Sequence, residues 1–183
     1  MKWIKLFENF NIKYYRAVTS FIGNELEFIP NDYYECIGAN NEPKYYYGVM
    51  AVSDIMEICG SKYIGGAVLG SLSMFINNHA KKLDGIYIYE IEEKPDKDIS
   101  HWSLQDFEYL QEVRWRRPVK GIYIGKVILT DEQLGLIKLY YEYMSSIENE
   151  EEYDERFDKI VDLLENGQFQ KILDSIQIKY SAN

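Results

Sequence analysis

The chain reads as an α+β fold: a small mixed or antiparallel sheet core with inserted helices, followed by a C-terminal helical segment. Three observations predict it. Runs rich in Tyr, Ile and Val recur up to about residue 130, without the regular strand–helix alternation of a parallel α/β array. Past residue 130 only helical periodicity remains. The composition, 46% hydrophobic and 27% charged over 183 residues, is ordinary globular usage and long enough to bury a sizeable core.

Each element has a local reason. Trp3, Leu6, Phe7 and Phe10 sit at helical spacing and predict a short N-terminal helix. Residues 12–19 and 25–29 predict strands, the second stopped by Pro30-Asn31-Asp32. A Tyr-rich strand follows over 44–52, and Ser53-Asp54 then opens a short helix that ends at Gly60. A buried helix is expected from about Gly65 to Leu83, its glycines allowing close packing. Ile86 to Ile91 is a strong strand, 92–101 a polar loop, and Ser103 to Tyr109 one or two helical turns. Residues 113–119 and 121–129 predict two strands broken by Pro118 and Gly121. Thr130-Asp131-Glu132-Gln133 is a capping box that starts a helix running through Met144. After a charged connector, Phe157, Ile160, Val161 and Leu164 form a helical stripe that Phe169, Ile172 and Leu173 continue. Residues 1–130 are thus expected to form the core, and 131–183 an acidic helical segment packed on the same domain.

Charge narrows the function. The net charge is −10, which argues against general affinity for nucleic acid. Residues 1–130 carry a net of −2 and residues 131–183 a net of −8. Two cysteines, Cys36 and Cys59, predict buried thiols in a reducing compartment rather than a disulfide framework. No apolar h-region opens the chain and no run approaches membrane-spanning length, so a cytoplasmic protein of a bacterium or phage-infected cell is expected. Phosphate loops, nucleophile elbows and zinc motifs are missing, and His79 and His101 stand alone, so no metal is expected.

Three separated features carry chemistry. Arg16 lies in the middle of a strand, in Tyr14-Tyr15-Arg16-Ala17-Val18, where a charge is costly unless it faces a cleft or a partner. Tyr45-Tyr46-Tyr47-Gly48-Val49-Met50-Ala51-Val52 runs into Ser53. Glu112 enters a strand after an irregular loop, in Leu110-Gln111-Glu112-Val113. Over residues 12–129 this set resembles the ADP-ribosyltransferase superfamily. The resemblance implies NAD as substrate, with Arg16 holding its phosphates and ribose. It implies Glu112 as the carboxylate that supports an oxocarbenium-like transition state. Ser53, or alternatively Ser61, would orient the site, and Tyr47 or Tyr45 would stack on nicotinamide. Leu110 stands where protein-modifying members carry Gln or Glu, so NAD hydrolysis is as open as transfer of ADP-ribose to a macromolecule.

Plainer roles compete. Arg16 would pair with Glu27 or Glu90, and Glu112 with Arg114 or Arg116. The single basic patch, Arg114, Arg116, Arg117 and Lys120, with Lys126, would grip an anion such as nucleic acid, or neutralise the acidic C-terminal helices. The competing class is a non-enzymatic acidic protein, of the immunity, inhibitor or phage type, that uses its −8 tail to bind a basic protein partner.

Overall fold

A computed structural model of the chain describes residues 12–30, 34–37, 43–46, 57–77, 85–99, 109–149 and 154–179. Its centre is a seven-stranded sheet in which every pairing is antiparallel, ordered β2-β9-β6-β1-β5-β8-β7. The strands are β1 (Tyr14–Val18), β2 (Glu25–Phe28), β5 (Ile58–Ser61), β6 (Ile86–Ile91), β7 (Lys97–Asp98), β8 (Glu112–Trp115) and β9 (Val119–Val127). A separate hairpin pairs β3 (Tyr34–Ile37) with β4 (Pro43–Tyr46). The helices are α1 (Ile64–Asn77), α2 (Asp131–Glu148), α3 (Asp158–Glu165) and α4 (Gln168–Asp174). The architecture is therefore α+β, with an open sheet that is wholly antiparallel. No helix among the described residues is long and apolar enough to cross a membrane.

Alternation along the strands divides the core in two. On one face Ile86, Ile88 and Val127 pack under Val68, Leu69 and Leu72 of α1, with Ile137, Tyr140, Ile160, Phe169 and Leu173 from the later helices. Tyr140 and Phe169 stack there at 4.7 Å between centroids. On the other face Tyr14, Phe28, Ile58, Tyr89, Ile91, Val113, Trp115 and Val119 form a second cluster. β9 serves both. Its register against β6 skips Ile124, because Ile88 opposes Gly125 while Tyr89 opposes Tyr123. That bulge resets the alternation, so Tyr123 faces the second cluster and Val127 the first.

Several local expectations are corrected. The short helix ending at Gly60 is instead β5, because Ile58 is buried against the other strands and pairs with Trp115 on β8. Gly121 does not break a strand. It sits inside β9, where a Cβ would run into the Phe28 ring. The polar loop after β6 contains β7. The N-terminal helix and the start of the helix at Ser53 lie outside the described residues, as do all of residues 100–108. The capping box is present as read: Thr130 Oγ1 accepts from the Gln133 amide, and Gln133 Oε1 accepts from the Thr130 amide.

Phe169 is fully buried beneath Tyr109 and Tyr140. Phe169→Ala is expected to cost about 3–5 kcal/mol, and Thr130→Ala only about 1 kcal/mol, both read from urea unfolding monitored by circular dichroism.

Candidate functional site

Two of the three separated sequence features, Arg16 and Glu112, fall on strands that flank β5. β5 lies between β1 and β8, so Arg16, Ser61 and Glu112 occupy neighbouring strands. Tyr15 opposes Ser61, and Ser61 opposes Glu112. Ser61 is 1% exposed. Its Oγ donates to the Leu110 carbonyl at 2.6 Å and accepts from the Tyr63 amide at 3.2 Å. This bond holds the approach to β8, where Gln111 takes a left-handed φ of 43°. Gly66 belongs to the same device, since a Cβ there would collide with Ser61 Oγ and the Leu110 carbonyl. Glu112 itself is 8% exposed.

Arg16 approaches differently. Alternation sends it to the Tyr14 face, opposite the face of Ser61 and Glu112. Its guanidinium lies 4.9 Å from the Phe28 ring centroid, and Nη1 donates to the Cys59 carbonyl at 2.6 Å. β1 registers with β5 at a single pair but with β6 at five. Arg16 thus sits where β1 and β5 part. Cys59, expected to be buried, is exposed. Its thiol is nevertheless pushed up to about 12, by desolvation first and by the Glu112 carboxylate next. Arg16 and Glu112 thus project from opposite faces of the sheet, with Cys59 on the strand between them.

A charged network surrounds Glu112. Arg114 Nε donates to Glu112 Oε1 at 2.7 Å, and Arg114 Nη1 to Glu57 Oε2 at 3.2 Å. Glu57 Oε1 also takes Arg116 Nε and Lys97 Nζ, each at 2.7 Å. Burial works against ionisation of Glu57, but the hydrogen bonds from Lys97, Arg116 and Arg114 outweigh it and pull its pKa down to about 2. Arg117 pairs with Asp96, and Lys120 with Glu25. Among the described residues, Arg114, Arg116, Arg117 and Lys120 pair with Glu57, Glu112, Asp96 and Glu25, all within the first 130 residues. Strand alternation explains how: Arg114 and Arg116 share the Glu57 side while Trp115 is buried on the other.

Of the residues expected at the site, Glu112 does pair with Arg114, and Lys13 rather than Arg16 takes Glu90. Ser61, the alternative serine, lies on the strand beside Glu112; Ser53 and Tyr47 lie outside the described residues. Tyr45 lies in β4, opposite Glu35. Sequence reasoning missed Glu57, Lys97 and Asp96, because charge partners drawn from other strands leave no local spacing signal. Among the described residues no His, Cys, Asp and Glu cluster suits a metal ion. A depression of about 260 Å³ elsewhere is lined by Glu90, Glu92, Glu93, Lys120 and Ile122. Its three carboxylates make it a poor seat for a dinucleotide. The chain matches no protein-family model, no curated protein and no solved structure.

A folded-state pKa below the usual 4.5 means that Glu57 contributes stability above pH 4.5 and loses it as pH falls toward about 2. Glu57→Gln should therefore lose about 1–3 kcal/mol at pH 7, with the gap to wild type closing as pH falls through that window, as read by thermal melts across pH. Ser61→Ala is expected to cost about 1–3 kcal/mol, the penalty of leaving the Leu110 carbonyl without its donor, measured by denaturant unfolding at neutral pH.

Proposed function

We propose that the protein is an ADP-ribosyltransferase-like enzyme that uses NAD, transferring ADP-ribose to an acceptor or to water. The observation that supports the reading is the adjacency of β1, β5 and β8, which sets Arg16, Ser61 and Glu112 on neighbouring strands from positions up to 96 residues apart, Arg16 on one face and the other two on the opposite one. These are the three residue types, in chain order, that the resemblance to the superfamily calls for, with Ser61 taking the place first given to Ser53.

Each group has a task that its chemistry suits. The Arg16 fork binds two oxygens of a diphosphate at once. Cleavage of the nicotinamide–ribose bond sends the bonding pair out with nicotinamide and builds positive charge on the ribose. The Glu112 carboxylate stabilises that charge, fixed in place before the reaction begins. Water or an acceptor nucleophile then bonds to the ribose carbon and releases a proton. Ser61 positions the Glu112 backbone through Leu110 and has no direct part in the chemistry.

The test is incubation with NAD labelled separately in nicotinamide and in adenine. Wild type is expected to release nicotinamide, and the fate of the adenine label distinguishes transfer from hydrolysis. Arg16→Ala and Glu112→Gln should each slow release by on the order of 100-fold or more, while melting with an intact folding transition. Failure of the wild type to release nicotinamide, both alone and with cytosolic extract as a source of acceptors, would overturn the reading and favour the acidic binding protein.

A further inference from the structure

We propose that Arg114, tethered by Glu57, is the positioning residue of the Glu112 carboxylate. The inference rests on the reading of Glu112 as the carboxylate that serves the ribose, and it adds two residues which the resemblance does not assign.

The backbone alone cannot aim Glu112. Ser61 and the Gln111 turn fix where the residue enters β8, but three side-chain torsions still separate the carboxylate from that point. Arg114 lies two residues on, on the same face of the strand, and its Nε pins Oε1 at 2.7 Å. A free arginine has more torsional freedom than a glutamate and would be a poor anchor by itself. Glu57 removes that freedom by taking Arg114 Nη1 at 3.2 Å.

Glu57 is in turn held by Lys97 of β7 and Arg116 just past β8, both on Oε1. Side-chain exposure falls from 19% at Arg114 to 6% at Glu57, so Arg114 is tethered to the least accessible member of the network. Glu57 binds three cations when only Arg114 reaches Glu112. The two others serve to fix Glu57. The arrangement is thus a strut in which Glu57, just before β5, is braced by Lys97 of β7 and Arg116 and holds Arg114 against the Glu112 carboxylate.

The test uses the full chain and the variants Arg114→Gln, Arg114→Lys and Glu57→Gln. Two readouts are taken: steady-state nicotinamide release from NAD, and the rate at which a water-soluble carbodiimide couples an amine to Glu112, followed by mass spectrometry. Coupling at Glu25, whose side chain is 63% exposed, is the internal control.

Arg114→Gln is expected to lower kcat by on the order of 100-fold with KM for NAD little changed, as displacement of a reacting group by about 1 Å does. Arg114→Lys should recover part of the loss, since it restores the charge without the fork. Glu57→Gln should fall between wild type and Arg114→Gln. Coupling at Glu112 should accelerate in the same order while Glu25 stays constant. Wild-type kcat in Arg114→Gln, a rise in KM that accounts for the whole loss, or unchanged coupling at Glu112 would each overturn the proposal. If Arg114→Gln does not fold, Arg114→Lys decides, because an unchanged kcat and coupling rate there is equally fatal. If the wild type releases no nicotinamide, the functional reading fails, and the coupling rates still decide whether Arg114 holds Glu112.

Discussion

β5 is four residues long, and the rest of the sheet is organised about it. On one side it meets β1, which leads through β6 and β9 to β2; on the other it meets β8 and β7. Without β5 the sheet would separate into two ladders, and Arg16 and Glu112 would belong to different halves. Its residues divide the labour by alternation. Ile58 enters the second hydrophobic cluster, Gly60 lets the Trp115 ring lie close, and Ser61 turns to the opposite face to hold Leu110. The Cys59 carbonyl, between them, takes Arg16. Replacing Gly60 would push on Trp115, a fully buried ring at the centre of that cluster.

The electrostatics follow from the same placement. A run of three arginines around one tryptophan is a strong feature in sequence, and in isolation it invites an anionic ligand. In the fold each of these arginines meets a carboxylate from another segment, Glu57 or Asp96. Glu57, at the threshold of β5, is the focus, with Arg114, Arg116 and Lys97 around a side chain that is 6% exposed. Breaking such a network leaves buried charges uncompensated, which costs far more than a surface pair is worth. The patch is therefore knit into the sheet by carboxylates of the first 130 residues.

The C-terminal helices matter to the site indirectly. Their apolar stripes cover α1, and α1 carries the close contacts behind Ser61. Gly65 admits the Leu173 carbonyl, Gly66 admits the Leu110 carbonyl, and Tyr141 Oη donates to the Leu69 carbonyl at 2.6 Å. Tyr63 Oη donates to the Tyr109 carbonyl at 2.5 Å, a second bond onto the segment that leads to Glu112. Burial pushes the Tyr63 hydroxyl up to about 12, keeping it a donor across the physiological range. Acidic side chains line the solvent side of α3, where Asp158, Asp162 and Glu165 carry much of the negative balance of the tail.

The sequence by itself determined what depends on near neighbours. The α+β class, the capped helix after Thr130, the strand from Ile86 and the stripe through Phe157 and Ile160 are written in periodicity and cap chemistry, which act over a few residues. Arg16 and Glu112 stood out as charges in strand-like surroundings. Only the tertiary structure decided that residues 58–61 form a strand, because Ile58 is buried in the second cluster and pairs with Trp115. It alone decided that Ser61 faces Glu112, that Glu57 gathers Lys97, Arg114 and Arg116, and that Gly121 marks a close approach instead of a break. Each of these depends on pairing between segments tens of residues apart, and strand register across such distances leaves no trace in local spacing.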